Sequence, residues 1–222
     1  LQPHETPADH VVYKQELYKH VQKAAQSFPA GATRDKYVSA ARNWRYPYWD
    51  WAAAPCSGCK AFPALVSDQW ATVTTPTGVQ TIPNPLFRYD FHPVSVSDMV
   101  YNPEELSFAV GKQYSNLRLV CILGRDKEIP FIMDASAGSQ NNLLNPIFAN
   151  SQVNFRDRLY NLFTNYNNFH QFGDSAWITA SSTNADSLES LHDGIHSSIG
   201  NNGHMTYLDY AAFDPVFWLH HV

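Results

Sequence analysis

Two groups of histidines lie in apolar, helix-forming surroundings near the end of the sequence. His192 and His196 are four residues apart in a segment where Leu188, Leu191 and Ile195 recur at helical spacing. Side chains at positions i and i+4 lie about 5–6 Å apart on one helix face, so two imidazoles can converge on one metal ion. Because that face also carries apolar residues, the pair is predicted to be buried and to need partners, of which a metal is one. The alternative is a surface or hydrogen-bonded pair.

The second group closes the segment Asp-Pro-Val-Phe-Trp-Leu-His-His, which runs from Asp214 to His221. Asp214 and Pro215 suit the start of a helix, and His220 and His221 follow in apolar surroundings. A histidine from this helix that joins the first pair would complete a site of three imidazoles, which suits copper, zinc or iron.

Two other metal chemistries fit the residues less well. The zinc metalloprotease motif requires Glu directly after its first histidine, and this sequence has Asp193 there. An iron site with two histidines and one carboxylate is open to Asp193 or Asp209, although Asp193 points about 100° away from His192 on the helix. Three nitrogen ligands are the simpler interpretation.

Composition limits the classes of partner. The 222 residues are 44% hydrophobic and 16% charged with a formal net charge of −5, so we expect no nucleic-acid partner. No apolar run approaches the 18 residues of a membrane span, so we expect no membrane insertion. Cys56 and Cys59 form a CxxC that we interpret as free thiols or a local disulfide, and Cys121 stands apart. Compartment and oligomeric state stay open.

The fold is predicted to be mainly α, with a long proline-rich loop insertion and a few short strands between Ala52 and Pro103. Helices are predicted over His10–Gln26, from a cap at Thr33 towards Pro47, from Asn102, over Gln152–Asn167, over Asp186–Ile199 and from Asp214. The inward face of the fourth is predicted to carry Val153, Phe155, Leu159, Leu162 and Phe163.

The same segments carry a family resemblance. Ser187–His196, Gly203–Met205 and Phe213–His221 resemble the second copper-binding half of tyrosinases and catechol oxidases, in a fungal form. Tyr13–Val21 and Arg45–Trp51 are similar to the segment that follows that family's first copper motif. The resemblance covers nearly the whole chain, so we expect residues 1–222 to form one tyrosinase-like domain.

The resemblance implies a type-3 dicopper centre in a four-helix bundle. It makes His192, His196 and His221 the ligands of the second copper, with His220 as a neighbour rather than a ligand. It makes Phe217 the aromatic residue beside the last ligand, and it places Met205 and Leu208 in the pocket over this copper. Glu189 and Asp193 match a pair that orients a water molecule, which is proposed to take the proton of the phenol.

The function implied is the oxidation of o-diphenols to o-quinones with O2, with monophenols as a second candidate substrate. An oxygen carrier resembling a molluscan haemocyanin unit shares the copper ligands and is the main alternative, and a helical bundle without metal is the third. His4 and His10 do not lie at the family's spacing for the first copper. We therefore expect the chain to be part of a longer protein and, alone, to oxidise catechol weakly or not at all.

The remaining histidines are predicted to have other roles. His20 is expected to be a solvated helix residue, and His92 and His170 are expected to be hydrogen-bonded surface residues. His204 is a loop residue near the predicted pocket.

Overall fold

The computed structural model describes residues 7–88, 141–177, 186–200, 204–206 and 211–221. The predicted helix from Asn102, together with His4, His92, Cys121, Leu208 and Asp209, lies outside the described residues. The chain divides into two compact units. The first comprises the described parts of Leu1–Trp49, Trp70–Pro83 and Leu219–Val222, and the second those of Asp50–Gln69 and Asn84–Trp218. The prediction of a single domain stays a prediction.

The first unit begins with two packed helices, α1 (Pro7–Gln26) and α2 (Ala32–Arg42). The Gln22 side chain donates a hydrogen bond to the Ala41 carbonyl at 2.7 Å, and the rings of Phe28 and Tyr37 stack with centroids 4.5 Å apart. His20 is solvated, as expected, with 69% of its side chain exposed. Two helices were therefore predicted correctly in this part of the chain.

The predicted cap of α2 is wrong. Gly31 occupies the N-cap position with φ 143°, no side chain bonds to the helix end, and Thr33 already lies inside the helix. Glycine adopts this positive φ without the steric penalty that other residues meet, so the helix is capped two residues earlier than the predicted threonine cap.

A two-stranded antiparallel hairpin completes the first unit. Strand β1 (Trp70–Thr75) pairs with β2 (Gly78–Pro83), with Trp70 opposite Pro83 and Thr75 opposite Gly78. Gly78 has φ 119°, which a residue with a side chain rarely adopts. The hairpin confirms that the proline-rich segment contains short strands.

The second unit is helical. Its helices are α3 (Ala64–Ser67), α4 (Asn141–Asn165), α5 (Phe169–Gly173), α6 (Leu188–Gly200) and α7 (Phe217–His220). Two 3-10 turns, Ser175–Trp177 and His204–Thr206, also belong to it. The last two residues of α7 belong to the first unit. Helix α4 packs against α6. The mainly helical fold is confirmed, and the four-helix arrangement stays a prediction.

Helix α4 differs from its prediction in two ways. It begins at Asn141, 11 residues before Gln152, and continues through Pro146 because Leu144 and Phe148 on either side of the proline are buried. Val153 is 51% and Phe163 is 69% exposed. The buried stripe instead follows a spacing of four and seven residues and consists of Leu144, Phe148, Phe155 and Leu162. Phe163 is one position from Leu162 and Val153 two positions from Phe155, so they point about 100° and about 160° away from the stripe, and their predicted inward positions are wrong.

Two polar contacts hold the loop before the hairpin on α4. The Asn145 side-chain oxygen accepts hydrogen bonds from the backbone N–H groups of Ala61 and Phe62, at 2.7 and 3.3 Å. Gln152 donates to the carbonyl of Ala52. Cys56 and Cys59 form a local disulfide, one of the two states that the sequence left open. Side chains of α4 thus hold the backbone at Ala52 and at Ala61–Phe62 in place.

An ion pair connects α4 to the residues before α6. Arg158 donates from Nε and Nη2 to the two carboxylate oxygens of Asp186 at 2.6 and 2.7 Å. The hydrogen bonds from Arg158 are the first cause that lowers the pKa of Asp186, against the opposing effect of burial. Both side chains are about a quarter exposed. The pair therefore positions the start of the helix that carries His192.

This pair predicts a pH-dependent stability. Because the pKa of Asp186 is lower in the folded than in the unfolded protein, its contribution is fully present above the unfolded pKa near 4 and is lost as pH falls through the folded pKa. Asp186→Asn should lower the free energy of unfolding by about 1.5 kcal/mol at pH 7 and by much less at pH 3. Urea unfolding at both pH values measures this. The control Asp157→Asn, in an exposed pair with Arg156, should change little at either pH.

Candidate metal centre

Helix α6 carries the first two candidate ligands, His192 and His196, on the face that the sequence pattern predicted to be buried. The hydroxyl of Ser187 caps the helix by accepting from the N–H of Ser190 at 3.0 Å. Leu191, Ile195 and Ile199 are fully buried along one side. This stripe fixes the rotation of the helix, and with it the direction of the two imidazoles.

The imidazoles of His192 and His196 converge. Their Nε2 atoms are 3.1 Å apart and their ring centroids 4.8 Å apart. His196 is buried and His192 is half-buried. Two nitrogen atoms that meet in this way on one helix face can bind a shared ion, as the spacing predicted.

The tautomer of His196 follows from its second contact. His196 Nδ1 lies 2.8 Å from the carbonyl oxygen of Met205. A carbonyl only accepts hydrogen bonds, so Nδ1 carries the proton, and in the neutral ring Nε2 keeps its lone pair. A backbone carbonyl on the other ring nitrogen is the usual arrangement around a metal-binding histidine.

Burial keeps both imidazoles neutral. It is the first cause that lowers the pKa of His192 to about 4, followed by the neighbouring His196, while Glu189 opposes the shift. Burial also lowers the pKa of His196, against the hydrogen bond to Met205. At neutral pH the rings are therefore in the form that binds a metal.

The Met205 carbonyl depends on a close approach at the end of α6. A Cβ atom at Gly200 would clash with the side-chain oxygen and the N–H of Thr206, and it would lie 2.8 Å from the carbonyl carbon of Met205. The Met205 side chain is fully buried. The absence of a side chain at Gly200 thus lets the turn pass close enough to reach His196.

Residues 211–221 position the last two histidines. The buried Asp214 accepts from the N–H of Val216 at 3.0 Å, and Phe217 N–H donates to the Asp214 carbonyl at 2.9 Å. Residues 214–216 form a turn, so the helix α7 starts at Phe217 rather than at the predicted Asp214. The indole of Trp218 donates to the Ala212 carbonyl at 3.0 Å. Phe217 packs edge-on against the His196 ring, with centroids 6.0 Å apart.

In the first unit, the N–H of Trp49 donates to the carbonyl of Leu219 at 2.9 Å. This bond ties the residue before the histidine pair to the Arg45–Trp51 segment. His220 is buried and His221 is half-buried, with ring centroids 4.8 Å apart.

The two predicted acidic residues are both exposed but make different contacts. Glu189 is exposed, and its Oε2 accepts from the N–H of Ser175 at 2.8 Å and from the hydroxyl of the same residue. Asp193 has a raised pKa, caused first by burial and then by the charge of Glu189. Glu189 and Ser175 are 14 positions apart, and no pattern in the sequence predicts their contact.

The structure brings His192, His196, Met205 and Phe217 together, with Glu189 and Asp193 on the same helix as the two histidines. Met205 contributes its carbonyl to His196, a role that the sequence did not indicate. His170 is exposed, as predicted. Leu208 and the side chain of His204 lie outside the described residues.

A family model described as the common central domain of tyrosinase matches residues 11–222. The chain belongs to the tyrosinase family. It is 37% identical to a tyrosinase of Neurospora crassa and 35% identical to one of Podospora anserina, each over 95% of this chain. It spans 29% and 34% of those two tyrosinases, about a third of the curated relatives it matches.

Solved structures agree with this tyrosinase assignment. A mushroom tyrosinase matches with a TM-score of 0.69 and 28% identity, over 96% of this chain and 50% of that one. A stretch of 36 residues, 15% of this chain, is 61% identical to part of hemocyanin 1 of Megathura crenulata. Copper is the metal of the tyrosinase family, and the neutral, buried imidazoles of α6 suit it. In the described part of the chain, no helix is long and apolar enough to span a membrane.

Proposed function

We propose that these residues form part of a type-3 copper oxidase that converts o-diphenols to o-quinones with O2. The observation that carries the proposal is the His192–His196 pair, in which the Met205 carbonyl directs the lone pair of His196 Nε2 towards His192. Each o-diphenol loses two electrons and two protons, and O2 takes up electrons and protons to become water. Copper, when bound, supplies the electron transfer that couples these two half-reactions.

The proposed ligands of one copper are His192 and His196 of α6 and, from the family resemblance, His221. Phe217 packs on the His196 ring, and His221 follows Phe217 by four residues through α7. Because one turn of helix rises about 5.4 Å, the chain carries His221 only a short way beyond that contact. The hydrogen bond of Trp49 to Leu219 supports a fixed position for this end of the chain.

The other proposed roles come from the family resemblance. Met205, Leu208 and Phe217 would border the phenol, and Met205 would also hold His196 in one tautomer. Glu189 and Asp193 would orient the water that accepts the proton of the phenolic hydroxyl. Their positions at i and i+4 of α6, beside His192, support a shared task. The contact of Glu189 to Ser175 would fix one of the two carboxylates.

Oxygen uptake in the presence of catechol tests the proposal. The copper-loaded full-length protein, in which the first copper site is also expected, should consume O2 as quinone absorbance appears, and it should do neither without catechol. Reversible oxygen binding without catechol oxidation would instead favour a carrier resembling haemocyanin, which the short hemocyanin match makes the second candidate. A protein that binds copper but neither oxidises catechol nor binds oxygen reversibly would contradict both functions.

Replacement of the Asp193 carboxylate with an amide tests the proposed proton transfer. Asp193→Asn keeps the size of the side chain and removes its negative charge, so the ratio of monophenol to diphenol oxidation should change by about 100-fold, the lower end of the range for general acid–base effects. Copper content should stay the same. An unchanged ratio would remove Asp193 from the proton-transfer step.

A further inference from the structure

A disulfide closes an exposed turn in the second unit, in the loop before the hairpin. Cys56 and Cys59 are both exposed, and their Cα atoms lie 5.1 Å apart. The N–H of Cys59 donates to the carbonyl of Cys56 at 2.8 Å, and Gly58 has φ 78°, which glycine adopts without steric penalty. We call Cys56–Cys59 the cysteine turn. Its backbone hydrogen bond and its glycine hold the two cysteines near each other independently of the sulfur bridge.

Contacts on both sides of the cysteine turn hold the loop on α4 without help from the disulfide. Before the turn, the carbonyl of Ala52 accepts a hydrogen bond from the side chain of Gln152. After the turn, Phe62 is fully buried and stacks on Phe148 with ring centroids 5.8 Å apart. The bridge itself closes a loop of only four residues, so it restricts the unfolded chain less than a bridge over a long loop would. Reduction of the bridge should therefore leave the loop in place.

The exposure of the cysteine turn makes its bridge accessible to thiol–disulfide exchange. Exposed disulfides exchange more readily than buried ones, because the attacking thiolate must reach one of the two sulfur atoms. A protein dithiol of the thioredoxin class supplies two electrons and two protons: the S–S bond breaks, both cysteines become thiols, and the reductant becomes a disulfide. The thiolate form of each cysteine is then a nucleophile at an exposed position.

We propose that the reduced cysteine turn is a covalent acceptor for o-quinones, and that the disulfide protects the turn from them. The inference rests on the proposed function only for the source of the quinone. The thiolate attacks a ring carbon and a C–S bond forms. That carbon then loses its proton, and the two quinone oxygens end with this proton and the one from the thiol, so the ring returns to the catechol level without a further oxidant. An arylated cysteine cannot re-form the bridge. The redox state of the turn thus decides whether the protein is modified by its own product.

Quinone prepared from 4-methylcatechol with periodate, and separated from the periodate, tests the acceptor without relying on catalysis. The full-length protein is treated as isolated, after reduction with a dithiol that is then removed, and after reduction followed by iodoacetamide. Peptide mass spectrometry should find the catechol adduct on Cys56 or Cys59 in the reduced protein. The isolated and the blocked proteins should carry about tenfold less or lower, since the thiolate and not the disulfide is the nucleophile. Thermal unfolding of the reduced protein should still show a folded chain.

Cys56→Ser and Cys59→Ser are the matched variants, because each leaves one thiol that no bridge within the turn can protect. Each should be labelled at the remaining cysteine without any reductant, and the double variant should carry no adduct in the turn. Equal labelling of the turn in the isolated and reduced proteins would overturn the inference, as would an unlabelled turn in the reduced protein and both single variants. A chain that unfolds on reduction would overturn it as well. Failure of the copper-loaded protein to oxidise 4-methylcatechol would overturn the proposed function instead, because the prepared quinone does not depend on it.

Discussion

Replacement of His196 with alanine should remove the copper that α6 binds. The variant loses the nitrogen that lies 3.1 Å from His192 Nε2, and with it the ring that the Met205 carbonyl orients. Since second-shell changes alone lower metal affinity by about 10–100-fold, loss of a ligand should exceed that range. Copper per chain, measured by elemental analysis after dialysis, should fall by one equivalent, and catechol oxidation should become undetectable.

His170→Ala is the matched control for copper binding, because it removes an exposed imidazole from the same unit. It should keep its full copper content. A His196→Ala protein that keeps all of its copper would contradict the proposed ligand set. Unfolding curves of both variants, recorded without copper, would show whether the change in metal content arises from the site rather than from loss of the fold.

Two glycine-to-alanine changes on α6 should have opposite effects. Gly200→Ala adds a Cβ against the backbone of Met205 and Thr206, where the chain must move to make room. Such overpacking costs about 1–3 kcal/mol of unfolding free energy. Because the same movement displaces the carbonyl that holds His196, copper affinity should also fall by about 10–100-fold.

Gly194→Ala adds the same methyl group in the middle of the same helix, where, apart from adjacent residues and the helix's own backbone, no atom of the described residues lies within 4 Å of the new Cβ. Alanine is favoured over glycine in a helix interior by about 0.5–1 kcal/mol, so this variant should be as stable as the wild type or more so. Copper titration and thermal unfolding of the two variants measure both effects. Equal behaviour of the two proteins would show that the close approach at Gly200 does not control the site.

Much of the fold could be predicted because it depends on local spacing. The apolar period around Leu188, Leu191 and Ile195 predicted α6, and it placed His192 and His196 on one face of that helix. Where two apolar patterns competed, spacing was not enough. In α4 the stripe with Phe155 and Leu162 packs inward, and Val153 and Phe163 are exposed, because the elements that pack on α4, which include α6 and the loop with Trp51, decide which face is covered.

The sequence by itself determined the residue types of the metal centre and the helix that carries its first two histidines. The Asp214–His221 motif and the HxxxH pair indicated a site of three imidazoles without tertiary information, and their resemblance to the tyrosinase family implied that its metal is copper. Tertiary structure alone decided which nitrogen of His196 is free, because the proton on Nδ1 is fixed by a carbonyl from a turn nine residues further along the chain. That turn reaches the ring only where Gly200 leaves room, and such an approach between backbones leaves no periodic pattern in the sequence.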